Sequence, residues 1–118
     1  MRSTPHTTIR AGDQPGAGGA CHEYFISRTP TTDAEEMQPA GDLGVVRFQN
    51  GPIHEARVNG CMNEDLIAIV IHRLRGFQSG PHACRENALA LTKLEEALHW
   101  LNHRSERIKR GVEGTSVA

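Results

Sequence analysis

The chain has 118 residues, with 13 lysines and arginines against 14 acidic residues, a net charge of -1 and a mean hydropathy of -0.48. That length suits one domain, and a nearly neutral chain is poorly suited to gripping nucleic-acid polymers or membrane surfaces, so any basic site has to be local. The three cysteines, Cys21, Cys61 and Cys84, are odd in number and widely spaced, and no basic start, apolar run and cleavage site occur together, which predicts a reduced, cytoplasmic protein. The longest apolar run, Leu66 to Ile71, falls far short of the roughly 20 residues a bilayer-spanning helix needs, so no membrane partner is expected.

Residues 1–43 are rich in Thr, Pro, Gly, Ala and Ser, with scattered apolar residues such as Tyr24, Phe25 and Ile26 and no sustained period; they read as a disordered extension. The cluster Gly16-Ala17-Gly18-Gly19 lacks the following lysine that a phosphate loop requires and reads as part of that tail.

From Gly44 the texture changes. Val45 to Gln49 run into Asn50-Gly51, and Ile53 to Val58 follow, which predicts a β-hairpin turning at Asn-Gly, with Pro52 pointing to an edge strand because it cannot donate to the ladder. Asn63 stands as an N-cap with Glu64 and Asp65 in the first turn of a helix, whose residues Ile67, Val70, Ile71 and Leu74 follow the i, i+3, i+4, i+7 rule. Leu66, Ala68 and Ile69 fill much of its remaining circumference, so this helix needs more than one covering surface. Gly76 to Pro81 form a turn, with Pro81 suited to opening the next helix. There Leu91, Leu94, Leu98 and Leu101 make a near-heptad seam, and Gly111 is placed to take the left-handed position past the end. The fold class is α+β: a strand hairpin or small sheet, then an antiparallel two-helix hairpin, over residues 44–118. An ordered part of roughly 70 residues is marginal as a single core, which predicts an oligomer.

Catalytic groups are thinly represented. Glu95, His99 and His103 share one helical face, but no partner cysteines at ligand spacing and no HExxH sequence accompany them, so no metal is expected. Cys84 beside Arg85 near a helix start could have a lowered thiol pKa, but nothing around it matches a catalytic pattern; the chain reads as a binding protein without a cofactor. The C-terminal end differs: Arg104, Arg107, Lys109 and Arg110 stand against the single acid Glu106. This is either compensation of a helix dipole or an anion site, and arginine at three of the four positions favours the latter through its planar fork. Between the helices, Phe77 can stack a nucleobase or plug the core, and Asn87 can bond a base edge or simply occupy a first helical turn.

The stretches Phe48-Gln49-Asn50-Gly51-Pro52, Asn59-Gly60, Arg73 to Pro81, Cys84-Arg85-Glu86-Asn87 and Arg110 to Thr115 together resemble the phage Thoeris anti-defence proteins. Members of that family capture the cyclic ADP-ribose signal of bacterial TIR-domain enzymes, and they share a helical hairpin with a phage anti-CBASS protein that captures cyclic dinucleotides. The resemblance covers about residues 44–118. It implies dimers that assemble further, to a hexamer, with ligand pockets between subunits and no turnover. It assigns the pocket to Phe77, Asn87, Arg104, Arg107, Arg110 and Thr115, and a possible second site for cyclic oligonucleotides to Arg57. The expected activity is therefore sequestration of a cyclic ADP-ribose isomer. The rival expectations are an adaptor or oligomerisation module with no small ligand, and a nucleic-acid binder using the basic end, whose affinity would fall steeply with salt.

Overall fold

A computed structural model of the protein describes residues 1–31 and 41–109. They fall into two units, one ending at Cys61 and one beginning at Met62. The first unit is built on β1 (Arg2–Ser3), β2 (Thr7–Ala11), β3 (Glu23–Arg28) and β4 (Asp42–Arg47), an antiparallel meander in sequence order. A single helical turn, α1 (Ile53–Ala56), follows. The second unit is the helical hairpin of α2 (Asn63–Gln78) and α3 (Arg85–Lys109). The α+β class with strands ahead of two long helices is what the structure has.

Two expectations are corrected. The segment 1–43, expected to be disordered, carries three strands and the start of a fourth over its described part, and Tyr24, Phe25 and Ile26 form the middle of β3. Composition counted its threonines against order, whereas threonine suits a strand and here also knits the sheet's end. Thr8 Oγ1 lies 2.7 Å from Thr29 Oγ1, and the Thr29 hydroxyl donates to the Thr4 carbonyl at 2.9 Å. The predicted hairpin at Asn50-Gly51 is also absent. Val45 and Val46 pair with Phe25 and Tyr24 on β3, and the expected return strand is α1. A tight hairpin turn needs positive φ at both central residues, but only Gly51 has it, at 91°, and Pro52 serves instead as the cap of α1.

Side-chain amides take over where the turn was expected. Gln49 Nε2 donates to the carbonyls of Gly51 and Arg57 at 3.1 and 2.6 Å, while its Oε1 accepts from the Asn59 N–H at 2.9 Å. Asn59 in turn accepts from the Asn50 N–H and donates to the Asn50 carbonyl, both at 2.8 Å. Gly60 then lies so near the chain at Phe48 that a β-carbon there would stand 2.4 Å from the Phe48 carbonyl oxygen, which lets Cys61 pair in parallel with Phe48.

In the second unit α2 begins where predicted, but its cap is Met62, not Asn63: the Asp65 carboxylate reaches back to accept from the Met62 N–H at 2.8 Å. The loop to α3 is closed by Gln78, whose Oε1 accepts from the Cys84 N–H at 3.0 Å and whose Nε2 donates to the Cys84 carbonyl at 3.1 Å. Helix α3 consequently opens at Arg85 and not at Pro81, and its predicted stop at Gly111 lies outside the described residues. The seam holds: Leu91, Leu94, Leu98 and Leu101 are half-buried, as are Ile67 and Leu74 of α2, and Ile71 of α2 is buried. Arg75 pairs with Glu95 at 3.1 Å and the Ser105 hydroxyl meets Glu64 at 3.4 Å, which fixes the helices as antiparallel.

Ile71 is the one buried apolar side chain among the described residues. Val70, expected on the inner stripe, is 44% exposed, and Ile69, Leu89 and Trp100 are 63%, 49% and 66% exposed. Two helices cover only the facing seams, so the surplus apolar surface anticipated for α2 lies open on this single chain.

Candidate functional site

The loop end of the helical hairpin gathers one half of the predicted site. Phe77, near the end of α2, is half-buried and neither a sealed core plug nor a free ring. The Arg73 guanidinium lies over it, 5.1 Å from the centroid, and the His82 ring meets it edge-on at 6.3 Å. An exposed cation over a ring contributes only about 0.5–1 kcal/mol, less than the roughly 1–3 kcal/mol of a stacked base, so this face can be yielded to a ligand. Asn87, in the first turn of α3, is half-buried, and its side-chain amide makes no hydrogen bond to another described residue. The Gln78 clamp on Cys84 fixes the short connection between these two positions.

The basic half lies at the other end. Arg104 is half-buried and engaged with a neighbour, and Arg107 is exposed, both on the last turns of α3 beside the start of α2. From Asn87 to Arg107 is 20 residues of continuous helix, which at the α-helical rise spans about 30 Å. A single copy therefore does not bring Asn87 and Arg107 together. Arg110 and Thr115 lie outside the described residues.

Arg57 stands in the first unit, exposed, at the end of α1. Its φ of 59° with ψ of -178° is a region that only glycine adopts cheaply, and a non-glycine residue there carries about 1–3 kcal/mol of strain. The Gln49 bond to its carbonyl helps to hold it.

The metal and thiol candidates have other surroundings. His99 and His103 flank Trp100 edge-on at 5.5 and 5.9 Å, and among the described residues no group of three or more His, Cys, Asp or Glu side chains could hold a metal ion. Cys84 is exposed, with its backbone held by Gln78. No described helix is long and apolar enough to cross a membrane. An open groove of about 410 Å³ runs between α2 and α3, with His72, Arg75, His99 and Asn102 on its rim over Ile71 and Leu98. Arg73 is the neighbour of Phe77 that the loop motif between the helices did not reveal. The i, i+4 spacing of Arg73 and Phe77 on one helix was the available signal.

Residues 43–106 match the family described as the Acb2/Tad1 hairpin domain. A protein of Bacillus phage SBSphiJ7 named Thoeris anti-defense 1 is 64% identical over 77 residues, which cover 64% of this chain and 54% of that relative. The matched stretch thus spans about half the length of the curated relative.

Proposed function

This chain belongs to the Acb2/Tad1 hairpin domain family, and from that membership we propose that it acts against Thoeris defence as a non-catalytic sponge for a cyclic ADP-ribose-type signal. The observation that carries the reading is the segregation of its recognition groups. A ring and an unpartnered amide stand at one end of the hairpin, and the arginines of α3 stand about 30 Å away at the other. A nucleotide has a flat base and a charged pyrophosphate close together, so in this reading a second copy running antiparallel brings Arg104 and Arg107 to the first copy's Phe77. Self-association of that kind also covers the apolar surface left open at Ile69, Leu89 and Trp100.

In this arrangement Phe77 stacks the adenine, Asn87 bonds the base edge or ribose, and Arg104 and Arg107 of the other copy neutralise the phosphates. Arg110 and Thr115, which lie outside the described residues, are proposed as further ligand contacts on the family resemblance alone. Dimers assembling to a hexamer, in the host cytoplasm, complete the proposal. Nothing in the scheme makes or breaks a covalent bond in the ligand, so the complex withholds the signal without turning it over. Arg57, held in a strained backbone conformation, is proposed as a second site for the cyclic oligonucleotides of CBASS.

The test is capture: incubate the purified protein with a mixture of cyclic ADP-ribose isomers and cyclic oligonucleotides, remove unbound nucleotide, denature, and identify what is released by mass spectrometry. Release of an unaltered cyclic ADP-ribose isomer is expected. An empty protein would leave the adaptor and nucleic-acid-binder readings, and a hydrolysed product would make the chain an enzyme.

A further inference from the structure

The two arginines that flank Leu74 on α2 differ in their partners. Arg75 is neutralised by Glu95 at 3.1 Å. Arg73 has no carboxylate among the described residues and lies instead over the Phe77 ring, one helical turn away, with its guanidinium carbon 5.1 Å from the centroid. The opposite constraint acts on the ring: the His82 edge contact at 6.3 Å and the Gln78 clamp on Cys84 hold the loop beside it. The ring is half-buried, while the cation over it is exposed.

We propose that Arg73 is a further phosphate-binding residue of the same pocket, parked on Phe77 in the empty protein and displaced onto the ligand's phosphates when a base takes the ring. The inference rests on the reading of Phe77 as the base platform. A guanidinium and a base cannot share one ring face, and the base stacks more strongly than an exposed cation holds. The displaced side chain keeps its charge and a long flexible stem. A phosphate joined through ribose to a stacked base leaves past the edge of that ring, where the guanidinium can form charge-assisted bonds that water offers only weakly. The Phe77 end would then bring a cation of its own, in addition to those from the partner copy. Binding would thereby select for nucleotides over uncharged nucleosides.

Arg73→Met tests this, since methionine keeps an unbranched stem against the ring and removes the charge. Calorimetric titration of wild type and variant with the captured cyclic ADP-ribose isomer, at low and high salt, and with adenosine as an uncharged probe, gives the readout. The variant should melt with wild type, bind the cyclic nucleotide about tenfold or more weakly with a flatter salt dependence, and bind adenosine no more weakly than wild type does. Unchanged affinity and salt dependence for the cyclic nucleotide would overturn the inference while leaving the sponge reading intact. Equal losses for both ligands would also overturn it, because Arg73 would then only pack the ring. A wild-type protein that takes up no cyclic ADP-ribose isomer would contradict the sponge reading and this inference with it.

Discussion

The sheet unit and the helical unit hold their chains in order by different means. In the first, backbone ladders, threonine hydroxyls and the Gln49 and Asn59 amides supply the constraints, and no described side chain is fully buried. In the second, a leucine seam closes on Ile71, and polar ties such as Arg75–Glu95 are exposed and contribute little. The contrast teaches where each unit is fragile: the hairpin to lost volume, the sheet unit to altered backbone.

The largest effect should come from Ile71→Ala, which empties the one buried apolar position of the hairpin and should cost about 2–5 kcal/mol. Urea denaturation followed by helical circular dichroism measures it, and a loss below about 1 kcal/mol would mean that the seam closes on other residues. Gly60→Ala probes the other unit. Its new methyl would stand 2.4 Å from the Phe48 carbonyl oxygen, and the forced shift should cost about 1–3 kcal/mol. A variant as stable as the parent would show that the strand at Phe48 can give way.

A smaller effect is expected at the loop between the helices. Gln78→Glu retains an acceptor for the Cys84 N–H but sets a carboxylate oxygen against the Cys84 carbonyl, a loss of about 0.5–1.5 kcal/mol. Faster hydrogen exchange of the Cys84 amide should accompany it, and unchanged exchange would mean the clamp does not close the loop. The smallest change has the opposite sign. Arg57→Gly relieves the positive φ of 59° and, after the extra freedom of glycine in the unfolded chain is subtracted, should stabilise the protein by about 0.5–1 kcal/mol. A destabilised variant would mean that the Arg57 side chain supports the fold and not a ligand.

The helical unit was the more legible in sequence because its signals are local. The spacing of Leu91, Leu94, Leu98 and Leu101 sets one face of α3, and the breakers from Gly76 to Pro81 place the turn. The sheet was not legible, since β3 and β4 meet across an intervening stretch, and no periodicity within either strand reports that pairing. Asn50-Gly51 misled for a related reason. The dipeptide permits a hairpin, but Pro52 and the Gln49 and Asn59 amides decide the outcome from outside the turn. At the candidate site, residue types pointed to Phe77, Asn87 and the α3 arginines, whereas the length of α3 that separates Asn87 from Arg107 follows only from the helix being continuous.

That separation gives the central claim its most direct test. Phe77→Ala and Arg107→Ala should each weaken binding of the captured cyclic ADP-ribose isomer by about tenfold to a hundredfold, through a lost stack and a lost phosphate partner. Co-expressing the two variants under different affinity tags, and purifying through both tags, yields assemblies that contain both kinds of subunit. If each pocket takes Phe77 from one copy and Arg107 from another, these mixed assemblies hold unaltered pockets beside doubly altered ones, and calorimetry should find a fraction of sites with the affinity of the parent protein. If every site in the mixed assemblies stays as weak as in the single variants, the pocket does not join the two ends of the hairpin across copies.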